Sequence, residues 1–174
     1  MNNPQLVFPD THYKESYLAA VAEYKAAGSP PQHFEEPDGD FGEFVAKIKS
    51  RAQGENLPAG FVPQTDYWLV DGEEYIGSLS IRHTLTDHLR EIGGHIGYGI
   101  RPSKRKMGYG KRILKLGLEK AKELGIEKVL LTCDVTNDGS RKIIEGNGGV
   151  LENTVPNPGG PDKARFWIPT KGVQ

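Results

Sequence analysis

Cysteine is almost missing from this chain: Cys133 is the single one, which excludes an intrachain disulfide and any multi-cysteine metal cluster and fits a reducing compartment. Long apolar runs are missing too. No stretch is apolar enough to span a bilayer. Residues 1–9 lack the basic flank and apolar run of a secretory signal, so the expected compartment is the cytoplasm, with no membrane partner. Internal repeats and low-complexity segments are absent as well. What is present is the balance of a water-soluble globule: 174 residues, 36% hydrophobic and 26% charged. That length suffices for one buried core and is too short for two enzymatic domains, so a single domain over 1–174 is expected.

The net charge of −1 conceals an asymmetry. Over 104–128 nine Lys or Arg face three Glu, a local charge of +6 that leaves −7 for the rest. A small basic zone in an acidic chain suits a small anionic ligand better than nucleic acid, which favours a broad basic face. Taken alone, such a run is more often a solvated helix face. The glycines beside it change that balance.

Helical spacing of Tyr13, Tyr17, Leu18, Val21 and Tyr24 predicts a helix over 11–27, closed by Gly28-Ser29-Pro30-Pro31. Phe41, Phe44, Val45 and Ile48 predict a second over 41–53. Strands over 65–70 and 74–84 then form a hairpin about Asp71-Gly72, and an opening strand over 6–8 is a further candidate. The next strand, 91–100, carries Gly93, Gly94, Gly97 and Gly99, and glycine inside a strand marks a bulge, a twist or a close approach. A helix over 108–124 follows, with Leu114, Leu118, Ala121 and Leu124 facing inward and Gly125 as its stop. The almost wholly apolar strand 129–133 is expected at the centre of the sheet. A helix over 140–145 and strands over 150–155 and 164–169 complete an α/β fold. Within it, 91–100, 108–124 and 129–133 make a right-handed β-α-β unit whose two strands run parallel.

Arg105-Lys106-Met107-Gly108-Tyr109-Gly110 stands between a strand and a helix start, where free N–H groups and the helix dipole favour an anion. Gly108 and Gly110 let the backbone come close to oxygen atoms, and Lys104, Lys111 and Arg112 add positive charge. Two familiar phosphate loops do not match. A Walker loop needs Ser or Thr after Gly110-Lys111 and has Arg112 instead. A dinucleotide fingerprint needs a third glycine where Ile113 stands.

Arg-x-x-Gly-x-Gly directly after a strand ending Tyr98-Gly99-Ile100-Arg101-Pro102 resembles the central motif of the GNAT family of N-acetyltransferases. The resemblance continues through the helix, the strand 130–133 and Asn137-x-x-Ser140, with Gly148-Gly149 where the family commonly has Gly-Phe, so that it spans 91–151. It implies a GNAT-like mixed, mostly antiparallel sheet flanked by helices, with N-terminal helices over 11–53 and an acyl-CoA-binding core over 91–151. It also implies acetyl transfer from acetyl-CoA to a primary amine of a small molecule, peptide or protein, by direct attack in a ternary complex. By position, Tyr98, Gly99 and Ile100 present backbone groups to the pantetheine arm and acetyl carbonyl. Arg105, Lys106, Met107, Gly108, Tyr109 and Gly110, with Lys111, hold the pyrophosphate. Asn137 and Ser140 lie against the cofactor, and the strands 91–100 and 129–133 part to admit the acyl arm.

Thioester aminolysis needs an uncharged amine, a stabilised oxyanion and a proton for the thiolate. A backbone N–H near Ile100 supplies the second. Many relatives carry a tyrosine four residues after the position of Ser140; Ile144 stands here, which leaves water, Asn137 or Tyr98 for the third. His95 is the first candidate base, with Glu91, His83 and His88 as rivals; the alternative is a hydrogen-bonded structural histidine on the other face. His83-x4-His88 with Asp87 lacks a fixed third ligand, so no metal is expected. Cys133 reads as a buried core thiol, and Tyr67, Trp68, Phe166 and Trp167 as core or as walls of an acceptor pocket. The alternative function is a catalytically silent acyl-CoA-binding module, and a homodimer is compatible with the chain.

Overall fold

Residues 3–172 are described by a computed structural model, so Met1, Asn2, Val173 and Gln174 of the expected domain lie outside the described residues. The chain runs β1 (Gln5–Val7), α1 (Lys14–Ala26), α2 (Phe41–Ser50), β2 (Gln64–Asp71), β3 (Glu74–Arg82), β4 (Ile96–Ile100), α3 (Tyr109–Glu123), β5 (Lys128–Asp134), α4 (Asp138–Glu145), β6 (Val150–Val155) and β7 (Lys163–Pro169). No helix among the described residues is long and apolar enough to cross a membrane.

The two N-terminal helices form for local reasons. Asp10 caps a tight turn ahead of α1 by accepting from His12 N at 2.8 Å. Asp40 caps α2 by accepting from Glu43 N at 3.0 Å. The helix α1 buries Tyr17, Ala20, Val21 and Tyr24, whereas Leu18 turns outward and is 38% exposed. Tyr17, Ala20 and Val21 meet Phe41, Phe44, Val45 and Ile48 of α2 over Trp68, Val70 and Tyr75, a cluster in which Tyr17 stacks on Trp68 at 4.6 Å between ring centres.

Strands β1-β2-β3-β4 form one antiparallel sheet and β5-β7-β6 another. On the face away from α1 and α2, the helix α3 packs Ile113, Leu114, Leu118 and Ala121 against Leu79, Ile81, Leu131 and Phe166. Gly117 is required there, since a Cβ would stand 2.4 Å from Leu79 Cδ1. Leu124, expected in the same inward stripe, follows the last helical turn and is 41% exposed.

Two expectations about the strands are corrected. The glycine-rich strand begins only at Ile96: residues 89–93 form a wide helical turn closed by Gly94 N to Leu89 O at 2.6 Å. Gly94 then reverses the chain with φ +67, at a point where a Cβ would lie 2.6 Å from the Leu130 carbonyl oxygen. The apolar strand β5 is an edge of its ladder, and β7 occupies the centre. Burial on both faces reports the layers above and below a strand, not its hydrogen-bonded neighbours. The expected parting of the two strands of the β-α-β unit is present: α3 connects β4 to β5 and no ladder joins them, which interrupts the sheet there.

Candidate active site

The interruption is pinned at one end by His95. Its N–H donates to Leu130 O at 2.8 Å and its Nδ1 accepts from Leu130 N at 2.9 Å, so one residue makes both bonds of a ladder pair across the gap. The ring is buried, and desolvation, with the positive charges of Arg90 and Arg82, pulls its pKa down to about 4. His95 is therefore neutral near pH 7, with the Nδ1 lone pair engaged. His95 is thus a hydrogen-bonded structural histidine. Its rivals lie elsewhere: Glu91 and His88 are exposed in and beside the wide turn, and His83 Nε2 pairs with Thr65 Oγ1 at 2.7 Å.

Beyond the pin β4 has a ladder partner on one side only. Ser78 faces Gly99 and Ser80 faces Gly97 across the β3–β4 ladder. Ile96, Tyr98 and Ile100 turn toward the α3 core, so Gly97 and Gly99 lie on the α1 and α2 face. Gly99 is shadowed there: a Cβ would be 3.7 Å from Tyr24 Oη and 3.8 Å from His33 O. Arg101 N–H donates to Ile76 O of β3 at 2.8 Å, so strand alternation turns the Ile100 N–H the other way, into the slit.

The slit ends at the basic loop. Lys106 has φ +61 and Gly108 φ +87, and α3 starts at Gly108 with neither a side-chain cap nor an acidic residue in its first turn. The cap position itself supplies no side-chain acceptor, and a helix start with no acid beside it is the arrangement that suits an anion. A Cβ on Gly108 would meet nothing within 4 Å, whereas one on Gly110 would be 2.5 Å from Ile143 Cδ1. The Cα of Gly110 therefore packs against α4, so its missing side chain serves the contact between α3 and α4. Lys106, Met107 and Lys111 are exposed, and the Tyr109 ring is buried with its hydroxyl donating to Asp71 at 3.1 Å. Lys104 pairs with Glu74 at 2.7 Å, and buried Arg101 pairs with Glu23 at 2.6 Å, holding the Glu23 carboxyl down at about 2. These two cations anchor the loop. Arg105 Nε bonds Ile100 O at 3.1 Å and ties the loop to the end of β4.

On the far wall of the slit Asn137 caps α4 by accepting from Ser140 N at 3.0 Å. The Ser140 hydroxyl pairs with Tyr98 Oη at 3.1 Å, so Tyr98 and Ser140 meet across the gap between β4 and α4. Cys133 is buried beside them, and desolvation pushes its thiol pKa up, which disfavours the thiolate. Ile144 is wholly buried in the α3 core. Phe166 is core too, Trp167 lies under Lys128 at 4.8 Å, and Trp68 alone of the four candidate aromatics lines the cavity next described.

Two features escaped the sequence reading. Tyr24 is 2% exposed; its hydroxyl makes no hydrogen bond of ordinary geometry among the described residues, and its polar neighbour is the Arg105 guanidinium, 5.8 Å over the ring. A cavity of 410 Å³ lies between α1, α2 and the β2–β3 face, lined among others by Trp68, Tyr75, Asp66, Ser78 and Ser80. The available signal was that Asp66, Ser78 and Ser80 alternate with apolar residues within the hairpin strands.

The sequence profile described as an acetyltransferase (GNAT) domain matches residues 12–150. The chain belongs to the GNAT acetyltransferase family. Its fold recurs in solved structures. The ribosomal-protein-S5-alanine acetyltransferase of Vibrio fischeri superposes with a TM-score of 0.68 at 13% identity, covering 100% of this chain and 99% of that one. A Salmonella typhimurium acetyltransferase that modifies the N-terminal serine of ribosomal protein L7/L12 gives 0.65 at 18%, with 95% and 94% covered. A putative acetyltransferase of Salmonella typhimurium with its cofactor acetyl-CoA gives 0.67 at 12%, with 97% and 95% covered. As a GNAT enzyme the chain uses acetyl-CoA as its acetyl donor. The slit and the uncapped helix start fit such a molecule, which needs a long narrow groove ending in a site for a diphosphate.

Proposed function

We propose that this GNAT enzyme moves an acetyl group from acetyl-CoA to a primary amine of a small molecule or peptide by direct attack in a ternary complex. The observation that carries the reading is the interrupted ladder between β4 and β5, which leads to the uncapped, base-rich start of α3. Pyrophosphate sits on the N–H groups of Gly108, Tyr109 and Gly110, with Arg105, Lys106 and Lys111 around it. Pantetheine runs along Tyr98, Gly99 and Ile100 as a substitute strand, and the Ile100 N–H meets the developing oxyanion. Asn137 acts by holding the start of α4, and the Tyr98–Ser140 hydroxyl pair protonates the thiolate. His95 is the pin of the slit rather than its base, because its Nδ1 is engaged and its basicity is suppressed.

The test is release of CoA thiol from acetyl-CoA over a panel of primary amines. Turnover supports the reading, whereas CoA binding with no turnover on any amine favours a silent acyl-CoA-binding module, for which the buried Ile144 in place of an acid is the argument.

Tyr24 supplies a second check. A buried hydroxyl without a partner costs about 1–3 kcal/mol, and this one lies over Gly99 beside the slit. A ligand carbonyl there would satisfy it. Tyr24→Phe is expected to leave the ligand-free chain as stable as before or more so, while acetyl-CoA affinity falls about tenfold. Thermal unfolding with and without acetyl-CoA reads both; an unchanged ligand-induced shift would remove Tyr24 from the cofactor site.

A further inference from the structure

Directly paired residues on neighbouring strands point to the same side of a sheet. Across β2, β3 and β4 one such row reads Asp66, Ser80, Gly97. Its first two members line the 410 Å³ cavity. Ser80 Oγ donates to Asp66 Oδ1 at 2.5 Å, and Gln64 Nε2 donates to the same carboxylate at 3.0 and 3.2 Å. The third member has no side chain, and a Cβ on Gly97 would meet nothing within 4 Å. The row therefore runs from a carboxylate, through a hydroxyl, to a bare stretch of backbone on the strand that borders the slit.

The charges around the cavity are unequal. Arg51 is bound by both carboxylate oxygens of Glu35, one of them at 3.0 Å, and comes within 3.9 Å of Asp66 Oδ2. Arg82, on the same face of β3, bonds the carbonyls of Gly93 and Gly94 at 3.2 and 3.0 Å. Tyr17 Oη donates to Glu35 O at 2.7 Å, and exposed His33 stands at the rim. Arg51 thus stands between two carboxylates, Glu35 and Asp66, and the cavity lining, which does not include Arg82, carries one carboxylate more than it has guanidinium groups. Trp68, Phe34 and Phe61 supply apolar wall. The volume accepts a small molecule or the end of a peptide, not a folded surface.

We propose that this cavity receives a primary ammonium whose body carries no carboxylate, and that Asp66, acting through Ser80, takes the proton of the attacking amine. The inference rests on the acetyl-transfer reading above and specifies its acceptor. The ammonium gives its first proton to solvent at the cavity mouth. As the C–N bond forms and the C–S bond breaks, the second proton passes from nitrogen to Ser80 Oγ, whose own proton passes to Asp66 Oδ1 and leaves to solvent through the cavity mouth once the product has gone. The thiolate takes its proton from the Tyr98–Ser140 pair, which is replenished from solvent. Burial raises the Asp66 carboxyl pKa above the usual carboxylate range, against the lowering influence of Ser80, Gln64 and Arg51, and brings it closer to the working range of a proton acceptor.

The experiment uses the full chain and measures kcat/KM for tyramine against tyrosine, and for an amidated dipeptide against its free acid, over the pH range in which the chain stays folded. The carboxylate-free member of each pair is expected to be favoured by about tenfold or more. On the best acceptor of the amine panel, Asp66→Asn is expected to lower kcat about a hundredfold and to change the acid limb of the pH profile, leaving only the part set by the amine's own ionisation, with KM for acetyl-CoA unchanged. Ser80→Ala, a milder substitution, is expected to act in the same direction, and retained acetyl-CoA binding shows that each variant is folded. Turnover in the wild type with an unaltered pH profile in both variants, or with preference for the carboxylate-bearing acceptors, overturns this inference while leaving the acetyl-transfer reading intact. Absence of turnover on every amine overturns that reading itself.

Discussion

Replacing Gly108 by glutamate is expected to abolish CoA binding while the chain stays folded. The residue adopts φ +87 at the head of α3, and a Cβ there meets no atom within 4 Å. A side chain at this point therefore enters open space, and the structural penalty is the left-handed backbone alone, about 1–2 kcal/mol. A carboxylate beside a helix start recovers part of that through the dipole. Toward a diphosphate on the same amides it has the opposite effect. Like charges about 4 Å apart at an effective dielectric of about 20 repel by roughly 4 kcal/mol per pair, enough to remove some three decades of affinity. Gly108→Asn tolerates the same φ without the charge and is expected to lose far less. Calorimetric titration with CoA reads both variants; unchanged affinity in Gly108→Glu would remove the diphosphate from this helix start. Arg105→Glu is expected to act in the same direction, but Arg105 also holds Ile100 O, so the glycine variant is the cleaner test.

This loop was legible because its chemistry is local. Two glycines, a run of cations and a helix start are neighbours in sequence, and Asn137-x-x-Ser140 caps α4 by the rule that puts Asn ahead of a first turn. The helix stripes and the β2–β3 hairpin follow from periodicity for the same reason. What the sequence concealed depends on which distant backbones meet. Gly94 reads as a strand glycine until Leu130 O is found where its Cβ would go. Gly110 reads as an opening for phosphate, yet Ile143 fills that side. Tyr24 sits in a helical apolar stripe, and nothing local says that its hydroxyl lands over Gly99 without a hydrogen bond of ordinary geometry. Asp66 and Ser80 are polar residues of a hairpin whose register makes them a pair only once the strands are joined.

His95 is where the reading changes most, and it carries the largest expected effect on stability. Its pKa falls from an ordinary value of 6.5 to about 4 on folding, chiefly by desolvation. Above pH 6.5 the imidazole is neutral in both states, so its contribution to stability is fully present. As pH falls from about 6.5 toward 4 the unfolded chain takes up a proton that the folded chain refuses, and stability is lost progressively, by about 3 kcal/mol at the lower end. His95→Gln keeps an acceptor for the Leu130 N–H but cannot titrate, and is expected to flatten the wild-type slope over that window. His95→Ala leaves that buried N–H unpaired as well and is expected to lose about 1–3 kcal/mol at neutral pH. Urea unfolding of the three chains across the window decides the matter, and the same slope in the wild type and His95→Gln would refute the assignment. Because the pin sets how far β4 stands from β5, acetyl-CoA should bind more weakly to His95→Ala even at pH 7. The acid limb of turnover should remain in His95→Gln, since the proton taken from the amine is placed at Asp66 and Ser80, on the opposite side of β4 from the gap that His95 bridges.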